Sequence, residues 1–257
     1  VVGGAVFLLH QFQTSRSAAL LLSQARESRD AEELPEAIRL YGRYLAFDPH
    51  SVEARTEMGS MLVDVGQYKQ AYFHLENALR SNPDDAVARK RLVDAAIGIE
   101  RFSDAKTNLL DHLLKGDPEN AEFLALLAVC EQSLGDFDSA RQHLESANQA
   151  EPSNERYASG LAELLTERFS QPQEARLVLE RLIASAPEKA TGYLVRGSWA
   201  LRQASKISDS SLSDELLGEA WENAAKALEL DANDPQAAIL AVDVAIARGQ
   251  IDEARKI

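Results

Sequence analysis

Five histidines (His10, His50, His74, His112 and His143), one cysteine (Cys130), two acidic turns ("SNPDD" and "DANDP") and one run of cations ("ARKRL") are the residues of this 257-residue chain that could do chemistry. Histidines one helical turn apart can share a metal ion, and a cysteine next to a histidine can act as a nucleophile. Neither arrangement is found: the histidines stand far apart, and no HExxH, GxSxG, P-loop or GxGxxG string occurs. Each histidine reads as solvated or as lying at the edge of a core. Cys130, among Leu126, Leu127, Ala128 and Val129, reads as a buried thiol acting as a small hydrophobe. The acidic turns lack the alternating oxygen ligands and distal glutamate of a calcium loop, so their Asp and Asn residues are expected to cap helices. No catalytic, cofactor-binding or metal-binding residue is assigned, and no cofactor is expected.

The charge balance narrows the partner. Lys and Arg total 27 against 41 Asp and Glu, a formal net charge of −14. Nucleic-acid binding depends on cations that release counterions from the phosphate backbone, so a nucleic-acid partner is not expected. Hydrophobic residues make up 45% of the chain, enough for a core, and low-complexity tracts are absent. The chain opens with "VVGGAVFLLHQFQ", whose first nine residues carry no charge. A membrane-crossing helix needs about 20 apolar residues. One expectation is that residues 1–17 form the exit half of a membrane anchor and that the chain is a fragment. The other is an apolar N-terminal helix packed against the neighbouring part of the chain.

The elements that must position these residues show themselves as a repeat. Ala37, Ala71, Ala105, Ala140, Ala175, Ala220 and Ala254 stand 34, 34, 35, 35, 45 and 34 residues apart. A second track of small or compact residues, Ala25, Gly59, Val93, Ala128, Ala162, Gly197 and Val242, keeps a similar period. Between the tracks, apolar residues recur at helical spacing, with Gly66 at a turn, so each unit is predicted to be a helical hairpin. Gly59 and Ala71 are expected to let the two backbones approach, with Tyr68 and Leu75 filling the wider gaps beside them. Proline ends the second helix twelve residues after the alanine at Pro49, Pro83, Pro152 and Pro187, and thirteen after it at Pro118.

This pattern resembles the tetratricopeptide repeat, a 34-residue unit with a small residue at position 8, alanine at 20, a large apolar residue at 24 and proline at 32. Those positions fall on Gly59, Ala71, Leu75 and Pro83 in the clearest copy, and on Ala128, Ala140, Leu144 and Pro152 in the next. The resemblance covers residues 18–257 as about seven units: 18–51, 52–85, 86–120, 121–154, 155–189, 190–234 with an insertion, and a truncated 235–257. It implies an all-α, right-handed α-solenoid. Two departures stand out: "RFSQPQ" replaces the turn glycine of the fifth unit, and about 11 extra residues are expected between the helices of the sixth.

The same resemblance implies a concave groove lined by the first helices, suited to an extended peptide or a partner helix. Its groove positions give Glu53, Thr56, Ser60 and Val63 in the second unit, Val87, Lys90, Asp94 and Ile97 in the third, and Glu122, Ala125, Val129 and Gln132 in the fourth. Lys90 is either part of a solvated face or the receiver of an acidic residue from a largely apolar peptide. Trp199 and Trp221 either fill space in the irregular sixth unit or, if exposed, anchor a partner. Three functions fit this pattern: a membrane-tethered protein-binding scaffold, a structural subunit of an envelope or surface-polymer export assembly, or the regulatory arm of an enzyme. The oligomeric state is left open.

Overall fold

A computed structural model describes the backbone of residues 2–254 and the side chains from residue 16 onward, Glu253 excepted. The fold is all-α, an α-solenoid of helical hairpins with no strand among the described residues. It divides into two compact bodies, Val1–Pro118 and Glu119–Ile257. The first holds α1 (Val2–Asp30), α2 (Leu34–Phe47), α3 (Val52–Asp64), α4 (Tyr68–Ser81), α5 (Ala86–Gly98) and α6 (Phe102–Asn108), then a π turn (Leu109–Leu113) and α7 (Leu114–Gly116). The second holds α8 (Ala121–Leu134), α9 (Phe137–Ala150), α10 (Glu155–Glu167), α11 (Pro172–Ser185), α12 (Ala190–Ala204), α13 (Ser210–Leu230), α14 (Pro235–Ala247) and α15 (Ile251–Ala254). Because α1 is one helix from Val2 to Asp30, the expected boundary between residues 17 and 18 falls inside it.

Local chemistry fixes where each helix starts and stops. Ser51, Asp85, Asn120, Asp136, Asn154, Asp209 and Asp234 each accept a backbone amide hydrogen bond at a helix N-terminus, a role worth about 1 kcal/mol apiece. At the other end, the residue before each stop proline leaves helical geometry: Asp48, Asn82, Asp117, Glu151 and Ala186 have ψ between 67° and 81°. The proline carbonyl then finds a donor in most hairpins. Arg55 donates to Pro49 (2.6 and 2.9 Å), Arg89 to Pro83, Ser185 to Pro152 (3.2 Å) and Tyr193 to Pro187 (3.3 Å).

Within a hairpin the turn is left-handed. The Gln67 amide donates to the Leu62 carbonyl at 2.8 Å and the Gly66 amide to Val63 at 2.9 Å, closing the end of α3 around Gly66 at φ +72°. Gly135 and Gly249 repeat this geometry, and so do Glu32 (φ 60°) and Glu100 (φ 61°), where a side chain makes it strained. In "RFSQPQ" the positive φ is taken by Ser170, and the Gln171 amide reaches back to the Leu165 carbonyl at 2.9 Å.

Irregular spacings have local causes. The thirteenth residue between Ala105 and Pro118 is absorbed by the π turn at Leu109–Leu113. The insertion in the sixth hairpin differs from the expected inter-helix segment: only Ser205–Asp209 is non-helical, and most of the added length lies in the 21-residue α13. A Cβ at Gly59 would come within 2.6 Å of Leu75 Cγ, and the three atoms nearest to it all belong to Leu75, so Gly59 seats Leu75. Tyr68 likewise closes over Gly98 of the next hairpin, where a Cβ would meet its ring at 2.4 Å.

Two substitutions at these sites have opposite expected signs. Gly59→Leu destabilises the fold by about 1 to 3 kcal/mol, because its side chain must displace Leu75. Glu100→Gly relieves a left-handed side chain and stabilises it by roughly 0.5 to 1 kcal/mol, since Glu100 is exposed and loses no packing. Thermal and urea melts check both, and a lowered midpoint in Glu100→Gly contradicts the turn geometry.

Candidate functional site

The first helices α3 and α5 pack side by side, and the groove positions carried by the repeat fall along them. Glu53 and Val87 are exposed, Val87 by 67%, while Thr56, Ser60, Val63, Lys90, Asp94 and Ile97 are half-buried. The Ser60 hydroxyl is turned back onto the Thr56 carbonyl at 2.9 Å, and Thr56 Oγ1 is buried without a hydrogen-bond partner. In the second body, Glu122 and Val129 are exposed on α8, and Ala125 and Gln132 are half-buried.

Charges on these helices are already paired. Lys90 Nζ lies 2.9 Å from Asp94, and Arg91 lies 3.0 Å from Asp64 on α3. Arg26 on α1 reaches Glu53 at 2.6 Å, and Arg26 and Arg29 both engage Glu57, which also accepts the Tyr41 hydroxyl at 2.5 Å. Burial, reinforced by the Glu57 carboxylate, raises the Tyr41 pKa, so this phenol stays protonated. The second body repeats the device: Arg202 meets Glu163 at 3.0 Å, and Glu219 receives both Arg176 and Arg196 at 2.7 Å. Such pairs contribute little stability where they are exposed, but they fix the relative register of neighbouring hairpins.

The candidate positions in "ARKRL" and at Trp199 have the following surroundings. Arg89 is buried on the Pro83 carbonyl and Asn108, with its pKa lowered by desolvation, and Lys90 is held by Asp94 within its own helix. Trp199 is 2% exposed and donates its Nε1–H to Thr166 Oγ1 at 3.2 Å, so it belongs to the core and anchors no partner. Trp221 also packs against that core.

The repeat positions behave as one set. Ala71, Ala105, Ala140 and Ala175 have no accessible surface, and the helices before Pro83, Pro152 and Pro187 all end two residues short of the proline. Residues 62–130, 107–164 and 132–194 match the tetratricopeptide repeat profile, which together spans more than half of the chain.

The chain belongs to the tetratricopeptide repeat family.

Its TPR hairpins superimpose on solved structures. A tetratricopeptide repeat protein from Parabacteroides merdae gives a TM-score of 0.69 at 16% identity, covering 93% of this chain and 90% of that one. MamA from Desulfovibrio magneticus RS-1, residues 41 to the end, gives 0.60 at 17% identity, covering 65% and 93%. A further MamA crystal structure gives 0.61 at 20%, covering 68% and 95%. At such identities the likeness is one of fold. A search of curated protein sequences finds no match.

His143 and His74 take structural places, and the side chain of His10 lies outside the described residues. His143 Nδ1 lies 2.7 Å from the buried Glu131 carboxylate. His74 is half-buried beside Phe73, and its Nδ1 has no hydrogen-bond partner. Among the described residues no three His, Cys, Asp or Glu side chains are grouped to hold a metal ion. Desolvation, and then the nearby Arg55 cation, lower the His74 pKa. The unfolded chain therefore takes up the proton before the folded one does, and the stability held above about pH 6.5, the ordinary histidine value, is lost as pH falls toward the lowered folded-state pKa. His74→Gln should flatten the dependence of the urea midpoint on pH between about 7 and 5. An unchanged slope would place His74 in solvent.

Proposed function

We propose that the chain is a non-catalytic protein-interaction scaffold that holds an extended peptide or a partner helix against the face of its first helices, with a membrane tether at its N-terminus. The observation that carries the binding half is the row Glu53, Thr56, Ser60, Val87, Lys90 and Asp94 on two adjacent helices. It is an accessible strip that combines an apolar contact with charges already neutralised. Membership in the repeat family supports the same half, because each hairpin uses one face for stacking and leaves a long surface over. An internally paired strip selects a partner by shape and backbone contacts rather than by strong charge, which suits an extended segment of mixed composition.

The tether rests on the uncharged run Val1–Leu9, whose side chains lie outside those the structure describes. Among the described residues no helix is long and apolar enough to cross a membrane.

A photo-crosslinking residue installed at Val87 should capture a protein partner, and one installed at the exposed Phe73 on α4 should not. Lys90→Glu, which breaks the pair with Asp94 and places two carboxylates in the strip, should weaken that partner by about 1 kcal/mol or more, with the greater loss at low salt. Crosslinks arising from Phe73 or from Leu212 on α13, with none from Val87, would move the recognition surface away from the first helices.

A further inference from the structure

Each first helix packs on the second helix of the hairpin before it: α3 on α2, α5 on α4, α10 on α9, α12 on α11 and α14 on α13. Counted from the start of each unit, the seventh, tenth and eleventh residues fall on that side. They are Met58, Met61 and Leu62 in the second hairpin and Leu161, Leu164 and Leu165 in the fifth, all buried, and the third and seventh hairpins bury apolar residues there too. Met58 shows what such residues touch, since its Cε lies 4.0 Å from where a Cβ on Gly42 of α2 would stand. From the second hairpin onward the charged residues at these positions are Arg196 and Glu131, and each has a partner at 2.7 Å, Glu219 and His143.

The first hairpin breaks the pattern. Its three residues are Gln24, Glu27 and Ser28. Gln24 and Glu27 are exposed and Ser28 is half-buried, along an open depression of about 510 Å³ bordered by Glu36, Arg39 and Arg43 of α2. The hairpin is otherwise built like the rest, with Ala25 and Ala37 both lacking accessible surface, so the exchange affects its outward side alone. Stacked against another hairpin, the Gln24 amide and the Glu27 carboxylate would lose their water, a cost that the methionines and leucines of the other units avoid. Leu20, at the third position, is also exposed where the second hairpin buries Ala54, and a lone surface leucine is ordinary.

We infer that the outward face of the first hairpin is a polar end cap, which keeps a second copy of this chain from stacking there. A contact repeated along a solenoid is also a surface that fits other copies of the same solenoid, so an end left apolar associates. Three side chains remove that hazard here without altering the contact between α1 and α2.

The test uses the whole chain. Gln24→Met/Glu27→Met/Ser28→Leu, which copies the second hairpin, should self-associate face to face, its weight-average mass in sedimentation equilibrium rising with concentration to about twice that of the wild type. Gln142→Met/Ser146→Leu/Gln149→Met places an equal apolar load on exposed positions of α9 and should leave the mass as in the wild type. Glu27→Leu alone, which keeps every buried contact of the hairpin, should raise the mass in the same way at higher concentration. Glu27→Cys reads the native surface: a water-soluble thiol reagent should label it at least about tenfold faster than the buried Cys130 of the same chain. A mass unchanged in both the triple variant and Glu27→Leu, an equal rise in the α9 control, or a Glu27→Cys thiol as slow as Cys130 would each overturn the cap.

Discussion

Six alanines with no accessible surface, Ala37, Ala71, Ala105, Ala140, Ala175 and Ala220, set the distance between the two helices of each hairpin. A methyl group there lets the backbones come close, and every larger neighbour must find its place around that contact. Leu75 lies over Gly59 and Tyr68 over Gly98 because glycine leaves the only room at those points. Once the two helices are that near, their apolar sides are used up inside the hairpin and against the next one. The first-helix strip and the troughs between second helices remain open.

Keeping the alanine in phase explains the irregularities. A one-residue excess would rotate the rest of a helix by about 100° and carry its leucines out of the core. The third hairpin absorbs its excess in the π turn, so that Leu109 and Leu113 both stay buried. The fifth absorbs its excess in the turn, where Ser170 accepts a left-handed φ. The sixth carries its larger insertion as extra helix ahead of Ala220, with Ser213 tied back to the Ala204 carbonyl at 3.1 Å. In each case the added residue is placed where it costs a local strain or an added turn and leaves the core register alone.

Much of this is legible in the sequence because it is local. Period, turn position, proline stops and the capping Asp and Asn residues all depend on contacts within a few residues, and Gly66, Pro83, Asp85 and Asp234 take the places their types predict. Spacing shows which residues are small without showing which atoms lie over them, as Leu75 lies over Gly59. Trp199 is open between core and anchor in the sequence because its exposure depends on Thr166, 33 residues away. Lys90 can be placed on its face, but its pairing with Asp94 depends on rotamers. The departure at Asn148, where other hairpins carry leucine or isoleucine, is written in the chain, visible only when the hairpins are compared at the position eight residues after the alanine.

The net charge of −14 bears on recognition less directly than it first suggests. On the first helices, cations are matched pair by pair: Arg26 with Glu53, Lys90 with Asp94, Arg91 with Asp64, Arg202 with Glu163. The excess of 14 acids over cations adds a negative field that acts at long range. Close to the first-helix strip the field is one of local paired charges rather than a uniform one. A solenoid built on one repeated contact presents different surfaces only where its repeats differ, and Asn148, buried at a place where the other hairpins carry leucine or isoleucine, is one such difference.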